Sequence, residues 1–275
     1  MMIDCHNHTL PGIDDGAHDV EMALDMARYA VNHGIQAIVC TPHHLNGVFT
    51  NTRHAVLKAV MALRACLVEA DIPLQVVPGS ELHIVPDLPD RILAGEALTY
   101  ADRGKSALVE LPKRTVPTGT ETILERLLYN DITPVIAHPE RNAELLRDPD
   151  RLTDWVSWGC KVQLTAQSCT GDFGKNIQHQ CRRWCESGAV HMIASDAHRP
   201  RGRVPTLVPG RAKLVEWLGE EAAEVLGMTN PYRLISGEAL LSIKPKAEKV
   251  TPMRQVFHRW IARNRVVRQE DRKTK

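Results

Sequence analysis

Seven short runs of apolar or β-branched residues punctuate the first two hundred positions: Met2–His6, Ala37–Thr41, Leu74–Pro78, Ala107–Leu111, Thr133–Ala137, Lys161–Leu164 and His191–Ala194. Longer amphipathic stretches separate them, so the hydrophobic period switches repeatedly between that of a strand and that of a helix. Asp19–His33, Thr52–Ala70, Thr118–Asn130, Arg141–Trp158 and Lys175–Ser187 are each long enough to cross over between parallel strands. Asp19 is placed to cap the first of these helices and Gly34 to stop it. The alternation predicts an α/β fold, a seven-stranded (β/α)7 TIM-like barrel, closed or nearly closed. Its functional groups are then expected at the C-terminal ends of the strands.

The 275 residues, 43% of them hydrophobic, suffice for one large domain or a domain with an appendage. Residues 1–242 carry the domain pattern, with no internal repeat. After His198 a Pro-, Gly- and Arg-rich loop leads to a helix expected over Ala212–Leu226, and Asn230 with Pro231 is expected to open another. Residues 243–275 read as a basic tail, helical over Met253–Val267 or disordered, whose sharper reading is peripheral contact with an acidic partner or an anionic membrane surface. A net charge of +1 and an aromatic content of 4% argue against nucleic acid as a partner.

No apolar run reaches membrane-spanning length, and Asp4 and His6 interrupt the stretch a signal peptide would need. The seven cysteines (5, 40, 66, 160, 169, 181 and 185) form an odd, scattered set, which fits reduced, buried thiols and a cytoplasmic protein.

The residues with metal-binding chemistry fall at strand ends. His6 and His8 end the first run, His43 and His44 the second, Glu81 and His83 the third, Glu110 the fourth, His138 the fifth, and Asp196 and His198 the seventh. Any one of these histidines alone is more readily a structural residue; their joint placement is what points to a site. The His6-x-His8 spacing sets both imidazoles on one side of an extended segment and turns Cys5 and Asn7 away. The donor set is therefore nitrogen and oxygen, suited to Mn, Fe or Zn.

So many strong donors exceed the four of a tetrahedral zinc site, so two or three metals are expected, and with them hydrolysis of phosphate monoesters. Arg141 and Arg203 are candidate phosphate ligands, since guanidinium matches phosphate oxygens in bidentate fashion. Arg199 and Arg201 compete with Arg203, and Arg141 is expected to begin a helix whose terminal amides favour an anion. No cysteine has an arginine six positions later, which excludes a cysteine-based phosphatase loop, and no Gly-rich phosphate loop is present.

In order along the chain, "DCHNH", "TPHH", "GSELH", "VEL", "AHPER" and "ASDAH" resemble the polymerase and histidinol phosphatase (PHP) superfamily. The stretch "HTLPGIDDGA" is most similar to the bacterial tyrosine-protein phosphatases encoded with capsular and exopolysaccharide biosynthesis genes. The resemblance covers residues 2 to 240 and implies a distorted seven-stranded barrel holding three divalent metals, commonly manganese. It implies attack by a metal-activated hydroxide on phosphotyrosine of a tyrosine autokinase that controls polysaccharide synthesis, with no phosphoenzyme.

Carried over by position, the resemblance puts His6, His8, Glu81 and Asp196 around one metal. Glu81 bridges to a second, completed by Glu110 and His138, and Asp15, His43 and His198 hold the third. Asp15 rather than Asp14 is the implied ligand, Asp14 fixing the turn, and Arg141 and Arg203 are the implied phosphate ligands. The segments "VELPKR" and "HRPRGRVP" and the basic tail depart from the shared pattern. The competing readings are a small-molecule phosphatase of the histidinol phosphate type, a phosphodiesterase, or a metal-binding regulatory protein without catalysis.

Overall fold

Each of the seven predicted runs forms a strand in the computed structural model, which describes residues 1–246. Two further strands come immediately after the second and third runs. In chain order they are β1 (Met2–Asn7), β2 (Ile35–Cys40), β3 (His43–His44), β4 (Gln75–Pro78), β5 (Glu81–His83), β6 (Ser106–Glu110), β7 (Thr133–Ala137), β8 (Lys161–Thr165) and β9 (Met192–Ala194). Every pairing among them is parallel. Helices cross over between them, as the alternation requires.

The strands form two sheets rather than the single closed barrel expected. One has the order β1-β2-β4 and the other β3-β5-β6-β7-β8-β9. The break falls where Pro42 and Pro78 remove ladder donors. There the backbone hands its bonds sideways: Thr41 N–H donates to Asn7 O (2.8 Å) and Glu81 N–H to Pro42 O (3.1 Å). Gly79 allows the closest approach at this seam, since a Cβ there would lie 2.8 Å from Val39 Cγ1. On the other side β1 meets the end of β9 through an isolated bridge, Asn7 with Ala197. Asp196 N–H donates to His6 O (2.8 Å) and His8 N–H to Ala197 O (2.9 Å) in the same place.

Alternate residues of the strands build a central cluster, including Ile3 and Cys5 of β1, Ala37 and Val39 of β2, Val135 and Ala137 of β7, and Met192 and Ala194 of β9. Two outer clusters bury the apolar faces of the helices against the sheets. The first helix, Val20–Asn32, begins as expected: Asp19 Oδ1 accepts from Met22 N–H (2.8 Å).

Two predicted helices are divided. The segment expected as one helix over Arg141–Trp158 is a 3-10 turn (Pro139–Arg141), a short helix (Ala143–Arg147) and a second helix (Asp150–Trp158). Asn142 is extended and caps Ala143–Arg147, and Pro149 separates that short helix from Asp150–Trp158, so Arg141 ends a 3-10 turn instead of starting an α-helix. The helix expected over Ala212–Leu226 spans Val208–Leu218, breaks at Gly219 and resumes at Glu220–Glu224.

Asn230 is helical and does not cap. Its side-chain amide bonds His191 O (2.7 Å) and both O and N of Leu241 (2.9 and 2.8 Å). The chain stays packed to the end of the described region, with Ile243 in the core and Lys246 N–H donating to Glu186 O (2.8 Å). The helix expected over Met253–Val267 lies outside the described residues. Among those described, no helix is long and apolar enough to cross a membrane.

Candidate metal centre

The C-terminal ends of the strands and the loops that leave them bring all nine candidate ligands to one face. His6 and His8 come from the end of β1, Asp15 from the loop behind them, and His43 from β3. Glu81 and Glu110 come from β5 and β6, His138 from just beyond β7, and Asp196 and His198 from beyond β9. Two of these residues have left-handed backbone, His138 (φ 29°) and Asp196 (φ 51°). Non-glycine residues adopt it only where the surroundings over-determine it, and here the turn redirects a side chain as a strand ends.

Two second-layer contacts orient the first strand's imidazoles. His6 Nδ1–H donates to Gln163 Oε1 (2.9 Å), and His8 Nδ1–H donates to Asp14 Oδ2 (2.7 Å). A proton on Nδ1 leaves the Nε2 lone pair free, and both lone pairs face inward. The two Nε2 atoms lie 3.1 Å apart and between 3.2 and 3.4 Å from Glu81 Oε2 and Asp196 Oδ1. All four side chains are essentially fully buried. With both imidazoles neutral these four atoms are all lone-pair donors in a low-dielectric interior, a set that either protonation of the imidazoles or a divalent cation compensates.

The remaining donors surround this point. His138 Nε2 lies 2.7 Å from Glu81 Oε1, and His43 Nδ1 2.9 Å from Glu81 Oε2 and 3.6 Å from Glu110 Oε2. On the outer side Asp15 Oδ1 is 3.4 Å from His43 Nε2 and 3.3 Å from His198 Nε2. Four sets of donors each fall within 4.8 Å of one another: His8, Asp15, His43 and His198; His6, His8 and Glu81; His6, His138 and Asp196; His43, Glu81 and Glu110. Every one of the nine candidates belongs to at least one set. His44 and His83 belong to none, His83 only approaching Glu110 at 3.5 Å.

The carboxylates are in the form a metal requires. Burial pushes Glu81 and Asp196 upward, but His6, His138 and His43 around the first, and Arg141 and His6 around the second, hold both well below the usual carboxylate range. The hydrogen bond from His198 likewise lowers Asp15. Burial pulls His8, His43 and His138 down, yet the carboxylates facing them outweigh it and leave all three above the ordinary histidine value.

Beside the donors sits the cationic part of the site. Arg141 and Arg203 both pair with Asp196 Oδ2, while Oδ1 of the same carboxylate faces the imidazoles. One side chain thus joins the donor cluster to the guanidinium pair. Arg141 Nε and one terminal nitrogen, and Arg203 Nε, are buried with no hydrogen-bond partner. They line a polar cavity shared with Asp15, Glu81, His138 and Lys113. Arg199 and Arg201 are exposed and lie outside that lining.

A model of the family described as "Capsular polysaccharide synthesis, CpsB/CapC" matches residues 2–236. The chain belongs to the CpsB/CapC family. Tyrosine-protein phosphatase YwqE of Bacillus subtilis is 41% identical over 202 residues, covering 74% of this chain and 79% of the relative. Tyrosine-protein phosphatase CpsB of Streptococcus agalactiae is 27% identical over 239 residues, 85% of this chain and 98% of the relative. In solved structures, a chain described with YwqE from Bacillus subtilis and CpsB from Streptococcus pneumoniae as "unique metal-dependent tyrosine phosphatases" superposes with a TM-score of 0.86. It is 36% identical, and the match covers 90% of this chain and all of the other.

This CpsB/CapC chain also uses residues that strand-end reasoning passes over. Asp14 fixes its turn by accepting from Gly16 N–H (2.9 Å), as expected, but it also orients His8 and accepts from His43 N–H (3.2 Å). Gln163 was legible only as a polar residue inside an apolar strand. Asp4, fully buried beneath His6, accepts from Ser195 N–H and from Asn7 Nδ2 (both 2.8 Å), tying β1 to the loop that presents Asp196. Lys113 and Asn142 complete the cavity wall.

Proposed function

We propose that this CpsB/CapC chain is a metal-dependent protein-tyrosine phosphatase whose substrate is phosphotyrosine on a tyrosine autokinase of capsular or exopolysaccharide synthesis. The observation that carries this reading is the joining of nine candidate metal ligands to two partly buried arginines through the Asp196 carboxylate. The likeness to tyrosine-protein phosphatases YwqE and CpsB, and to a solved structure of metal-dependent tyrosine phosphatases, supports the activity and its metal dependence.

In this reading His6, His8, Asp15, His43, Glu81, Glu110, His138, Asp196 and His198 hold three divalent ions, with Mn first and Fe or Zn as alternatives. The bound ions supply Lewis acidity that activates water and neutralises charge on the phosphoryl oxygens. Arg141 and Arg203 donate to the remaining phosphate oxygens from nitrogens that lack partners within the protein. Asp196 Oδ2 holds both guanidinium groups in register, so a phosphate clamped by them is presented to the donor cluster on the other side of the same carboxylate. Lys113 adds a third positive charge to the wall.

On this reading the chain through residue 246 is a PHP-type phosphatase unit, packed past the expected boundary at 242, and the basic sequence that follows is suited to an anionic partner or surface. A cytoplasmic location belongs with it, supported by seven cysteines outside any disulfide, six of them buried.

The decisive experiment measures phosphate release by metal-stripped protein, with and without added Mn²⁺, from a tyrosine-phosphorylated peptide and from histidinol phosphate. Metal-restored turnover of the peptide is the expected result. Turnover confined to histidinol phosphate would overturn the protein-phosphatase reading and favour a metabolite phosphatase on the same centre.

A further inference from the structure

The chain has three phenylalanines, and two of them border the candidate site; the third, Phe257, lies outside the described residues. Phe49 lies parallel to the His43 imidazole, 6.1 Å between centroids and 10° between planes. Phe173 covers the Arg141 guanidinium, whose central carbon is 4.6 Å from the ring centroid, and the ring is still 36% exposed. The apolar side chains that line the cavity itself are Leu111 and Ala137, and Phe173 borders it from outside, over Arg141.

Phe173 is held where it is by backbone rather than by burial. It sits in a turn between the helices Ala166–Thr170 and Lys175–Glu186, with left-handed glycines on either side, Gly171 (φ 93°) and Gly174 (φ 102°). Gly174 N–H closes the turn onto Gly171 O (2.9 Å). Gln167 Nε2 donates to Gly202 O (2.8 Å), which fastens this segment to the loop that carries Arg203. The ring thus covers one candidate phosphate ligand, Arg141, and the helix before its turn is fastened to the loop that carries the other.

Resting on the phosphatase reading above, we propose that Phe173 is the specificity-determining residue of the site, packing against the aryl ring of the substrate while Arg141 holds its phosphate. In an aryl phosphate the ring is one ester oxygen away from phosphorus, so a phosphate on Arg141 brings that ring alongside whatever borders the guanidinium. Among the described residues the ring in that position is Phe173. An alkyl phosphate gains little from the same neighbour, whereas an aromatic pair contributes about 2- to 10-fold in affinity.

The test compares Mn²⁺-loaded full-length protein with the Phe173→Leu and Phe173→Tyr variants, using calorimetric binding of phenylphosphonate and methylphosphonate. Phe173→Leu is expected to weaken phenylphosphonate by about 2- to 10-fold and to leave methylphosphonate within a factor of about two, with Phe173→Tyr restoring the difference. The KM for a phosphotyrosine peptide should rise by the same factor with kcat held. Parallel weakening of both phosphonates would mean that the ring only orients Arg141, and would overturn the proposal. So would unchanged binding of both, or a wild-type protein that binds neither. Absence of peptide turnover by the wild type would defeat the phosphatase reading instead, and the phosphonate pair would still decide the role of Phe173.

Discussion

The residues that set which ring nitrogen of His6 and His8 faces the donor cluster are those that touch the two imidazoles from behind. Gln163 is wholly buried, accepts from His6 Nδ1–H and donates its own amide to Leu164 O (2.8 Å). Replacing it with leucine removes the acceptor that fixes the His6 tautomer. Loss of such an outer partner lowers metal affinity by about 10- to 100-fold, and that is the effect expected of Gln163→Leu in a Mn²⁺ titration against a competing chelator. Unchanged affinity would show that packing alone orients His6. The candidate ligands were readable from the sequence because histidine and carboxylate at strand ends have few other reasons to cluster. Gln163 was not, because an amide in a strand has many, and only the distance to His6 assigns its job.

At the scale of elements, the strands were legible and the breaks between them were not. Alternating apolar periodicity located all seven runs, but the split into two sheets depends on where Pro42 and Pro78 face their neighbours, a tertiary fact. The division of the predicted Arg141–Trp158 helix has the same origin in Asn142. Its Oδ1 accepts from Glu144 N–H (3.0 Å) and Leu145 N–H (2.8 Å), while its Nδ2 donates to Pro112 O (2.7 Å) and Thr115 O (2.9 Å). This buried side chain thus caps the helix and pins the loop holding Lys113 beside it. Asn142→Ala removes a cap and strands two carbonyls, so a loss of about 2–3 kcal/mol in urea unfolding is expected, with KM raised more than kcat is lowered. A loss below about 0.5 kcal/mol would mean that water replaces all four bonds.

Across the whole molecule the two ends of the strands do different work. The C-terminal ends collect charge for chemistry, and the N-terminal ends hold the body together, as at His191 just before β9. This histidine is fully buried, its Nδ1 accepts from Val162 N–H (3.3 Å), and the Lys161 ammonium stands 3.2 Å from Nε2. Burial first, and then the charge of Lys161, hold it down at about 3. The unfolded chain protonates it below about 6.5, whereas the folded chain stays neutral. The unfolded state therefore binds more protons between those values, so this residue's stability is full above about pH 6.5 and falls as the pH drops toward 3. Each pH unit in that window costs about 1.4 kcal/mol. Substituting His191→Asn keeps an acceptor for Val162 N–H and removes the titration. Urea midpoints measured in chelator at pH 7 and pH 4.5 should therefore draw apart less in the variant than in the wild type. An equal pH slope in both proteins would place the acid sensitivity of the fold at the metal-binding end instead.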